Sequence, residues 1–250
     1  MSSHRALMPA GLKAAGCVGV VAGSGQTAAG ANPSENLDTV GGGWSGPPRY
    51  HHQMTAELSA ESRAKNIKIL IFDVDGVLTD GQIFVIPDSQ GHGIEAKGFA
   101  AHDGLGISLG RLGGLRIGII TKRNSQTVAI RANDLKLEFI YQGQSHKMDA
   151  IHDILARTGA TLDKLCYVGD YIIDLPVMRQ CGLAIATANA REEVKSAAHY
   201  ITPHPGGFGA GRDAIDFILT AQGTLEKVIE QYLDESNASA ASSDVGQGNM

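Results

Sequence analysis

The sequence has few cysteines and few aromatic residues. Only Cys17, Cys166 and Cys181 occur among its 250 residues, and such an odd, sparse set argues against a disulfide scaffold and for a reducing compartment. We therefore expect a cytoplasmic protein. Aromatic residues make up 5% of the chain and hydrophobic residues 43%, so a core can form, but it must consist mainly of Ile, Leu, Val and Ala.

The sequence also lacks an excess of positive charge and a long hydrophobic run. Its 26 acidic residues outnumber the 21 basic ones, which gives a net charge of −5 and argues against non-specific binding to nucleic acid or anionic lipid. Residues 12–23 resemble a signal peptide, but their apolar stretch is short and rich in glycine. We expect a soluble protein that binds neither nucleic acid nor a membrane.

The length allows one large domain or two small ones, and the composition places the folded part in the middle. Residues 1–64 contain ten of the 32 glycines and little apolar periodicity, so we interpret them as a disordered arm. Met54 precedes a polar, helix-like stretch, and an alternative is that the residues before it are an over-extended start. Residues 237–250 are expected to be a disordered tail. A single domain is therefore predicted over residues 65–236.

Short apolar runs alternate with segments of helical period in this region, which indicates an α/β fold. Runs that are apolar on both faces belong in a buried parallel sheet, and they occur at residues 67–72, 115–120, 139–142, 165–168 and 183–186. The intervening segments are predicted to be flanking helices that start near Asp103, Ser125, Lys147, Asp174 and Ala190. Strand-like segments at 82–85 and 94–99 around a turn at 87–91 predict a β-hairpin after the first strand.

Two carboxylates follow the first predicted strand. Asp73 and Asp75 are two residues apart, so strand geometry points them to the same side, and Gly76 lets the backbone turn sharply behind them. Ligands of such sheets bind at the carboxyl ends of the strands, and two close carboxylates there favour a hard divalent cation, above all Mg²⁺. An isolated pair of this kind is more often a turn or a helix cap, so the residues after the other strands are decisive.

Polar residues follow the other predicted strands as well. Thr121 follows the second strand, where a hydroxyl and main-chain N–H groups near a helix start can bind an anion. Lys147 begins the next helix, an unfavourable place for a cation that suggests a compensating anion. Asp170 and Asp174 come after the fourth strand and add two carboxylates. Each residue alone is also explained by helix capping or solvent exposure, but their shared position favours one site.

In this order the motifs resemble those of the haloacid dehalogenase superfamily of phosphotransferases. The sequence is similar to the 3-deoxy-D-manno-octulosonate 8-phosphate phosphatase family within it, through I-F-D-V-D-G-V-L-T-D-G from Ile71, H-D-G near Gly104, Y-Q-G-Q-S-H-K from Tyr141, Y-V-G-D from Tyr167 and G-G-F-G-A-G-R to Arg212. The resemblance extends from about residue 65 to residue 223. It implies a Rossmann-like core, a parallel sheet flanked by helices, with a hairpin flap and no separate cap domain.

The resemblance implies a Mg²⁺-dependent phosphatase of lipopolysaccharide precursor synthesis. Asp73 would attack phosphorus and form an aspartyl-phosphate, and Asp75 would act as general acid and base. The metal would be held by the Asp73 carboxylate, the Asp75 main-chain carbonyl and Asp170, with Asp174 supporting these ligands.

The same resemblance implies the substrate contacts and the assembly. Thr121 and Lys147 would bind the phosphoryl group. The hairpins would associate into a homotetramer, in which residues 206–212 can contribute to a partner's pocket. Binding of the sugar acid is expected from four further residues: Gly76, Lys122, Arg123 and Arg212.

Four residues depart from the family pattern: Lys122 replaces a glycine, Tyr171 an aspartate, His102 an arginine and Phe208 a second arginine. The loss of two arginines weakens the expected recognition of an anion. Two alternatives therefore stay open, a phosphatase for another sugar-acid phosphate and a phosphate-binding tetramer without turnover. A receiver domain is disfavoured, because its acidic pair and its phosphorylated aspartate lie on different strands.

Overall fold

The computed structural model describes residues 58–244, with side chains described to residue 234. Its strands are β1 (Ile69–Phe72), β2 (Phe84–Pro87), β3 (Gly93–Ala96), β4 (Arg116–Ile120), β5 (Phe139–Tyr141), β6 (Leu165–Gly169), β7 (Leu183–Ala186) and β8 (Tyr200–Ile201). Six of them form a parallel sheet in the order β5-β4-β1-β6-β7-β8. The predicted α/β fold with a parallel sheet is confirmed, although β8 was not predicted because it is only two residues long.

The helices are α1 (Ala60–Ala64), α2 (Ala101–Leu112), α3 (Gln126–Asp134), α4 (Lys147–Thr158), α5 (Leu175–Met178), α6 (Glu192–Lys195), α7 (Ala210–Ala221) and α8 (Leu225–Asp244). They cover both faces of the sheet. Leu70 and Phe72 point to one face, where they pack with side chains of α2 and α7, and Ile69 and Ile71 point to the other, where α4 and α5 lie. This alternation along β1 follows from the two-residue period of a strand. No helix among the described residues is both long enough and apolar enough to span a membrane.

The predicted hairpin is present as the antiparallel pair of β2 and β3. Its turn is ordered by Asp88, whose carboxylate accepts hydrogen bonds from the main-chain N–H groups of Gln90 and His92 at 2.8 Å. The strands begin and end up to three residues away from the predicted positions. Apolar side chains stay exposed on the hairpin, and four of them are more than half exposed: Phe84, Val85, Ile86 and Ile94.

Helices extend beyond both predicted domain boundaries. The fold begins before residue 65, because α1 precedes it and buries Ala64 completely against the core. At the other end, α8 continues to Asp244, beyond the predicted start of a disordered tail at residue 237. This continuation is physically reasonable, because no glycine or proline interrupts residues 225–244. The signal-peptide-like segment 12–23, Met54 and the rest of residues 1–57 lie outside the described residues.

Candidate active site

The predicted site residues converge at the carboxyl edge of the sheet. Because β1 lies between β4 and β6, the residues after these three strands are neighbours. Asp73, Asp75, Thr121 and Asp170 line one cavity of about 300 Å³, together with Gly81, Lys122, Arg123, Tyr171 and Ile173. Larger surface cavities of about 520 and 590 Å³ exist elsewhere, but neither contains a predicted site residue.

A buried ion network forms the floor of this site. The ammonium of Lys147 lies 2.9 Å from Asp73 Oδ1 and 2.7 Å from Asp174 Oδ1, and all three side chains are nearly inaccessible to solvent. Burial alone would lower the pKa of Lys147, but Asp73 and Asp174 outweigh it and raise that pKa. Lysine therefore stays charged at the start of α4, and the anions expected from its position are these two carboxylates.

Both oxygens of Asp174 are used inside the protein. Oδ1 accepts hydrogen bonds from Lys147 and from the Tyr167 hydroxyl at 2.8 Å. Oδ2 accepts the main-chain N–H groups of Asp170 and Tyr171 at 3.1 Å. Asp174 therefore fixes the loop after β6. Tyr167, whose hydroxyl lies between Lys147 and Asp174, was assigned no role from the sequence, because its place in an apolar strand gives no sign of a polar contact.

Asp73, Asp170 and Asp174 form a cluster in which carboxylate oxygens lie within 4.8 Å of one another. Because Asp174 is already fully hydrogen-bonded, Asp73 and Asp170 are the members available to a cation. Burial raises the pKa of Asp73 to about 6, although Lys147 opposes this rise. Burial and then the charge of Asp73 raise the pKa of Asp170 to about 7.

The buried Oδ1 of Asp170 has no hydrogen-bond partner among the described residues. A buried carboxylate close to a half-buried one with an unpaired oxygen has an unfavourable excess of negative charge, which a divalent cation would neutralise. The donor set therefore fits Mg²⁺. Oxygen ligands from Asp73 and Asp170 would hold it, and the Asp75 main-chain carbonyl remains the predicted third protein ligand.

Gly76 shapes the metal side of the site. Its φ of +93° is a conformation that favours glycine, and a Cβ on it would lie 2.1 Å from Asp170 Oδ2. The sequence interpretation placed Gly76 on the substrate side, whereas this close approach connects it to Asp170. Gly206 packs on the same turn, where an added Cβ would lie 1.8 Å from the Gly76 carbonyl oxygen.

Residues after β4 form the opposite wall. Thr121 is buried, with 2% of its surface exposed, whereas Lys122 and Arg123 are exposed. The Arg123 Nη2 atom lies 2.8 Å from Glu95 Oε2 on β3, so the hairpin contacts this wall. Both basic residues line the cavity as expected for substrate binding, but Arg123 already has a carboxylate partner.

Lys97, which the sequence analysis missed, follows β3 and forms an ion pair with Asp75. Its side chain has no exposed surface, and its ammonium lies 3.5 Å from Glu95 Oε1. The spacing of Glu95 and Lys97 was an available signal, because residues two apart on a strand share a face. Neither residue follows a strand of the main sheet, and only residues after those strands were predicted to form the site.

Arg212 does not line the cavity. It lies in the first turn of α7, its Nε is 2.7 Å from Asp216 Oδ1, and its main-chain N–H donates to Asp103 Oδ1 at 2.8 Å.

Of the four residues that depart from the family pattern, Tyr171 lines the cavity and is 48% exposed, and Phe208 is 61% exposed. Lys122 and His102 are exposed as well, so none of the four disturbs the buried network.

Sequence comparisons identify related proteins. A family model described as haloacid dehalogenase-like hydrolase matches residues 118–206. The 3-deoxy-D-manno-octulosonate 8-phosphate phosphatase of Yersinia pestis is 43% identical over 164 residues, which are 66% of this chain and 86% of that protein. The enzyme of the same name from Escherichia coli K12 is 40% identical over 172 residues, 69% of this chain and 89% of the relative.

Solved structures agree with these matches. The crystal structure of the Yersinia pestis phosphatase superposes with a TM-score of 0.63 and 42% identity, covering 67% of this chain and 88% of that one. The Moraxella catarrhalis phosphatase, solved with a magnesium ion, phosphate and KDO, gives a TM-score of 0.65 and 37% identity and covers 69% of this chain and 97% of the other. The similarity thus extends over nearly the full length of the relatives.

Proposed function

We propose that this chain, which belongs to the 3-deoxy-D-manno-octulosonate 8-phosphate phosphatase family of haloacid dehalogenase-like hydrolases, hydrolyses the phosphate monoester of that eight-carbon sugar acid in the synthesis of lipopolysaccharide precursors. The observation that carries the proposal is the position of Asp73. It lies at a cavity wall beside Asp75, with Lys147 2.9 Å away and Asp170 in the same carboxylate cluster.

Asp73 is the proposed nucleophile. One of its carboxylate oxygens attacks phosphorus, the bond from phosphorus to the sugar oxygen breaks, and an aspartyl-phosphate forms. Asp75 gives its proton to the leaving sugar oxygen. Asp75 then takes a proton from water as the water attacks phosphorus, which breaks the bond to Asp73 and releases inorganic phosphate.

Lys147 and Thr121 are the proposed contacts of the phosphoryl group. Lys147 holds the Asp73 carboxylate in place and adds positive charge next to the reacting atoms. The Thr121 hydroxyl adds a donor on the opposite wall. Mg²⁺ bound to Asp73, Asp170 and the Asp75 carbonyl would neutralise charge on the phosphoryl oxygens, and Asp174 would keep the loop of Asp170 in place.

Lys122 and Arg123 are the proposed contacts of the sugar carboxylate, since a guanidinium suits that group. Arg123 is paired with Glu95, so a substrate carboxylate would have to share or displace this partner. Tyr171 lines the same cavity where the family has an aspartate. This change favours a second candidate, in which the enzyme keeps its chemistry but prefers a different sugar-acid phosphate.

A homotetramer located in the cytoplasm is the proposed form of the enzyme. The exposed apolar side chains of the hairpin support assembly, because a contiguous group of such residues is costly to leave in water. In the tetramer, residues 206–212 would lie where a neighbouring subunit can use them. Arg212 would then contribute to a partner's pocket, since it does not line the pocket of its own chain.

The test is phosphate release from a panel that contains 3-deoxy-D-manno-octulosonate 8-phosphate and other sugar-acid phosphates, with Mg²⁺ or with EDTA. The Asp73→Asn variant removes the nucleophile without changing its shape, and Asp163→Asn is a matched control at an exposed position. We expect turnover that requires Mg²⁺ and is lost only in Asp73→Asn. Turnover of another ester alone would support the second candidate, and saturable binding without release would contradict both.

A further inference from the structure

The Lys97 side chain is the part of the site that the catalytic proposal does not use. It lies outside the sheet, just after the second hairpin strand, yet no part of it is exposed and its ammonium contacts Asp75 Oδ1. Burying a lysine is costly unless its charge is paired. Asp75 is its direct partner, and Glu95 lies at 3.5 Å.

Glu95 attaches this end of the hairpin to the body of the protein. Its carboxylate accepts a hydrogen bond from the Ser125 hydroxyl at 2.5 Å and pairs with Arg123. Its main-chain carbonyl accepts one from the Thr127 hydroxyl at 3.0 Å. Three contacts of one residue therefore fix β3 against the loop after β4 and the start of α3, and the position of Lys97 is fixed with it.

Asp75 needs such support more than Asp73 does. Asp73 is held by Lys147 in a buried network, whereas 21% of the Asp75 side chain is exposed at the cavity. A carboxylate with a free path to solvent spends part of its time away from the position that proton transfer requires. Among the described residues, Lys97 is the one cation that forms an ion pair with Asp75.

We propose that Lys97 is a positioning residue, which holds the Asp75 side chain at the cavity, where the protonated form of Asp75 gives its proton to the leaving group. This inference rests on the proposed function, because it assumes that Asp75 is the general acid. Lys97 acts through Asp75 and not on the substrate. Its loss should therefore slow formation of the aspartyl-phosphate only for substrates whose leaving group needs a proton from Asp75.

Two kinds of phosphate ester separate this role from a merely structural one. A primary alkyl phosphate has a poor leaving group that needs protonation, whereas 4-nitrophenyl phosphate has a good one that does not. The ratio of kcat/KM for the two esters measures the contribution of Asp75 as general acid. Its role as base does not enter, because kcat/KM includes only the steps up to formation of the aspartyl-phosphate. A general loss of folded protein or of metal would lower both values together.

The experiment measures kcat/KM for both esters in the wild type, Lys97→Met, Lys97→Arg and Asp75→Asn. The alkyl ester is 3-deoxy-D-manno-octulosonate 8-phosphate, or the best primary alkyl phosphate of the wild type. Since general acid catalysis contributes about 10²–10⁴-fold, we expect Asp75→Asn to lose at least about 100-fold on the alkyl ester. Lys97→Met should lose about 10-fold or more on it, and Lys97→Arg should recover part of the loss. Neither change at residue 97 should cost more than about threefold on the aryl ester.

Lys227→Met, at an exposed position of α8, is the matched control and should leave both values unchanged. Sedimentation of each variant shows whether the substitution at residue 97 alters the oligomeric state. If Lys97→Met lowers both esters equally, or neither, while Asp75→Asn lowers only the alkyl ester, the role of Lys97 is refuted and the proposed function stands. If Asp75→Asn shows no preference between the esters, or the wild type turns over neither, the proposed function itself fails.

Discussion

The Asp174 carboxylate and the Lys147 ammonium lie 2.7 Å apart in a part of the protein that water does not reach. Lys147 also contacts Asp73, so Asp174 connects the start of α4, the loop after β6 and the predicted nucleophile. An ion pair in this environment gives little net stability when complete, but removing one partner leaves a buried charge uncompensated. The arrangement of the site therefore depends on Asp174, although Asp174 has no free oxygen for a ligand.

We expect Asp174→Ala to lower the free energy of unfolding by about 3 to 5 kcal/mol, the usual cost of breaking a buried pair. The measurement is denaturant unfolding of both proteins. Asp163→Ala is the control, because it removes a carboxylate from the exposed pair with Lys164 and should cost no more than about 1 kcal/mol. Equal losses of unfolding free energy in the two variants would show that the buried ion network does not depend on Asp174.

We expect Gly76→Ala to weaken Mg²⁺ binding by about 10-fold or more, the size of effect found when groups around metal ligands are changed. The new Cβ would lie 2.1 Å from Asp170 Oδ2, so Asp170 must move. Gly91→Ala is the control, because Gly91 has a similar φ of +82° but nothing within 4 Å of the added Cβ. Titration calorimetry with Mg²⁺ should show a loss in the first variant only, and unchanged affinity in both would exclude Asp170 as a ligand.

The stability of the protein should depend on pH through Asp103. Burial raises the pKa of Asp103 to about 6, above its usual value of 3.8, so the folded state favours the protonated form. This contribution is complete below about pH 4 and is lost as the pH rises through 6. It amounts to about 2 to 3 kcal/mol, at 1.36 kcal/mol per pKa unit.

Asp103→Asn should remove this dependence and keep the carbonyl oxygen that accepts the Arg212 N–H. The measurement is the free energy of unfolding at several pH values between 4 and 8 for both proteins. Other buried carboxylates titrate equally in the two, so the difference between them isolates Asp103. Parallel curves would show that this carboxyl group has an ordinary pKa.

The hairpin should control assembly. Ile86 on β2 is 55% exposed, and Ile86→Lys would place a charge in a hairpin-to-hairpin interface, where it would be desolvated. We expect sedimentation to show subunits smaller than the wild-type assembly. Ile130→Lys is the matched control, because Ile130 is likewise an exposed isoleucine, 64% exposed on α3, and does not belong to the hairpin. If both variants keep the wild-type mass, the hairpin is not the assembly surface.

Much of the site could be predicted from the sequence for a geometric reason. The carboxyl ends of parallel strands meet at one edge, so Asp73, Thr121 and Asp170 had to lie near one another once their strands were recognised. Lys147 was found through its unfavourable place at a helix start. The sequence predicted only that the partners of Lys147 are anions, and the structure identifies them as Asp73 and Asp174.

Other features depend on packing between residues that are far apart in the sequence, which no local sequence pattern predicts. The contact of Lys97 with Asp75 needs the hairpin to fold back over the sheet edge, and the position of the hairpin depends on Glu95 and its partners in the loop after β4 and at the start of α3. The Arg212 N–H group in the first turn of α7 donates to Asp103, which is far away in the chain. The extent of α8 was missed because Ser, Ala and Asn are compatible with either a helix or a tail.

The most direct test of the account is to trap the phosphorylated enzyme. Asp75→Asn should accept phosphate from 4-nitrophenyl phosphate, whose leaving group needs no acid, but should hydrolyse the product slowly because the base is missing. Rapid quenching and reduction with borohydride convert an aspartyl-phosphate to homoserine, which mass spectrometry can locate. The account predicts homoserine at position 73. Homoserine elsewhere, or phosphate release with no modified residue, would contradict it.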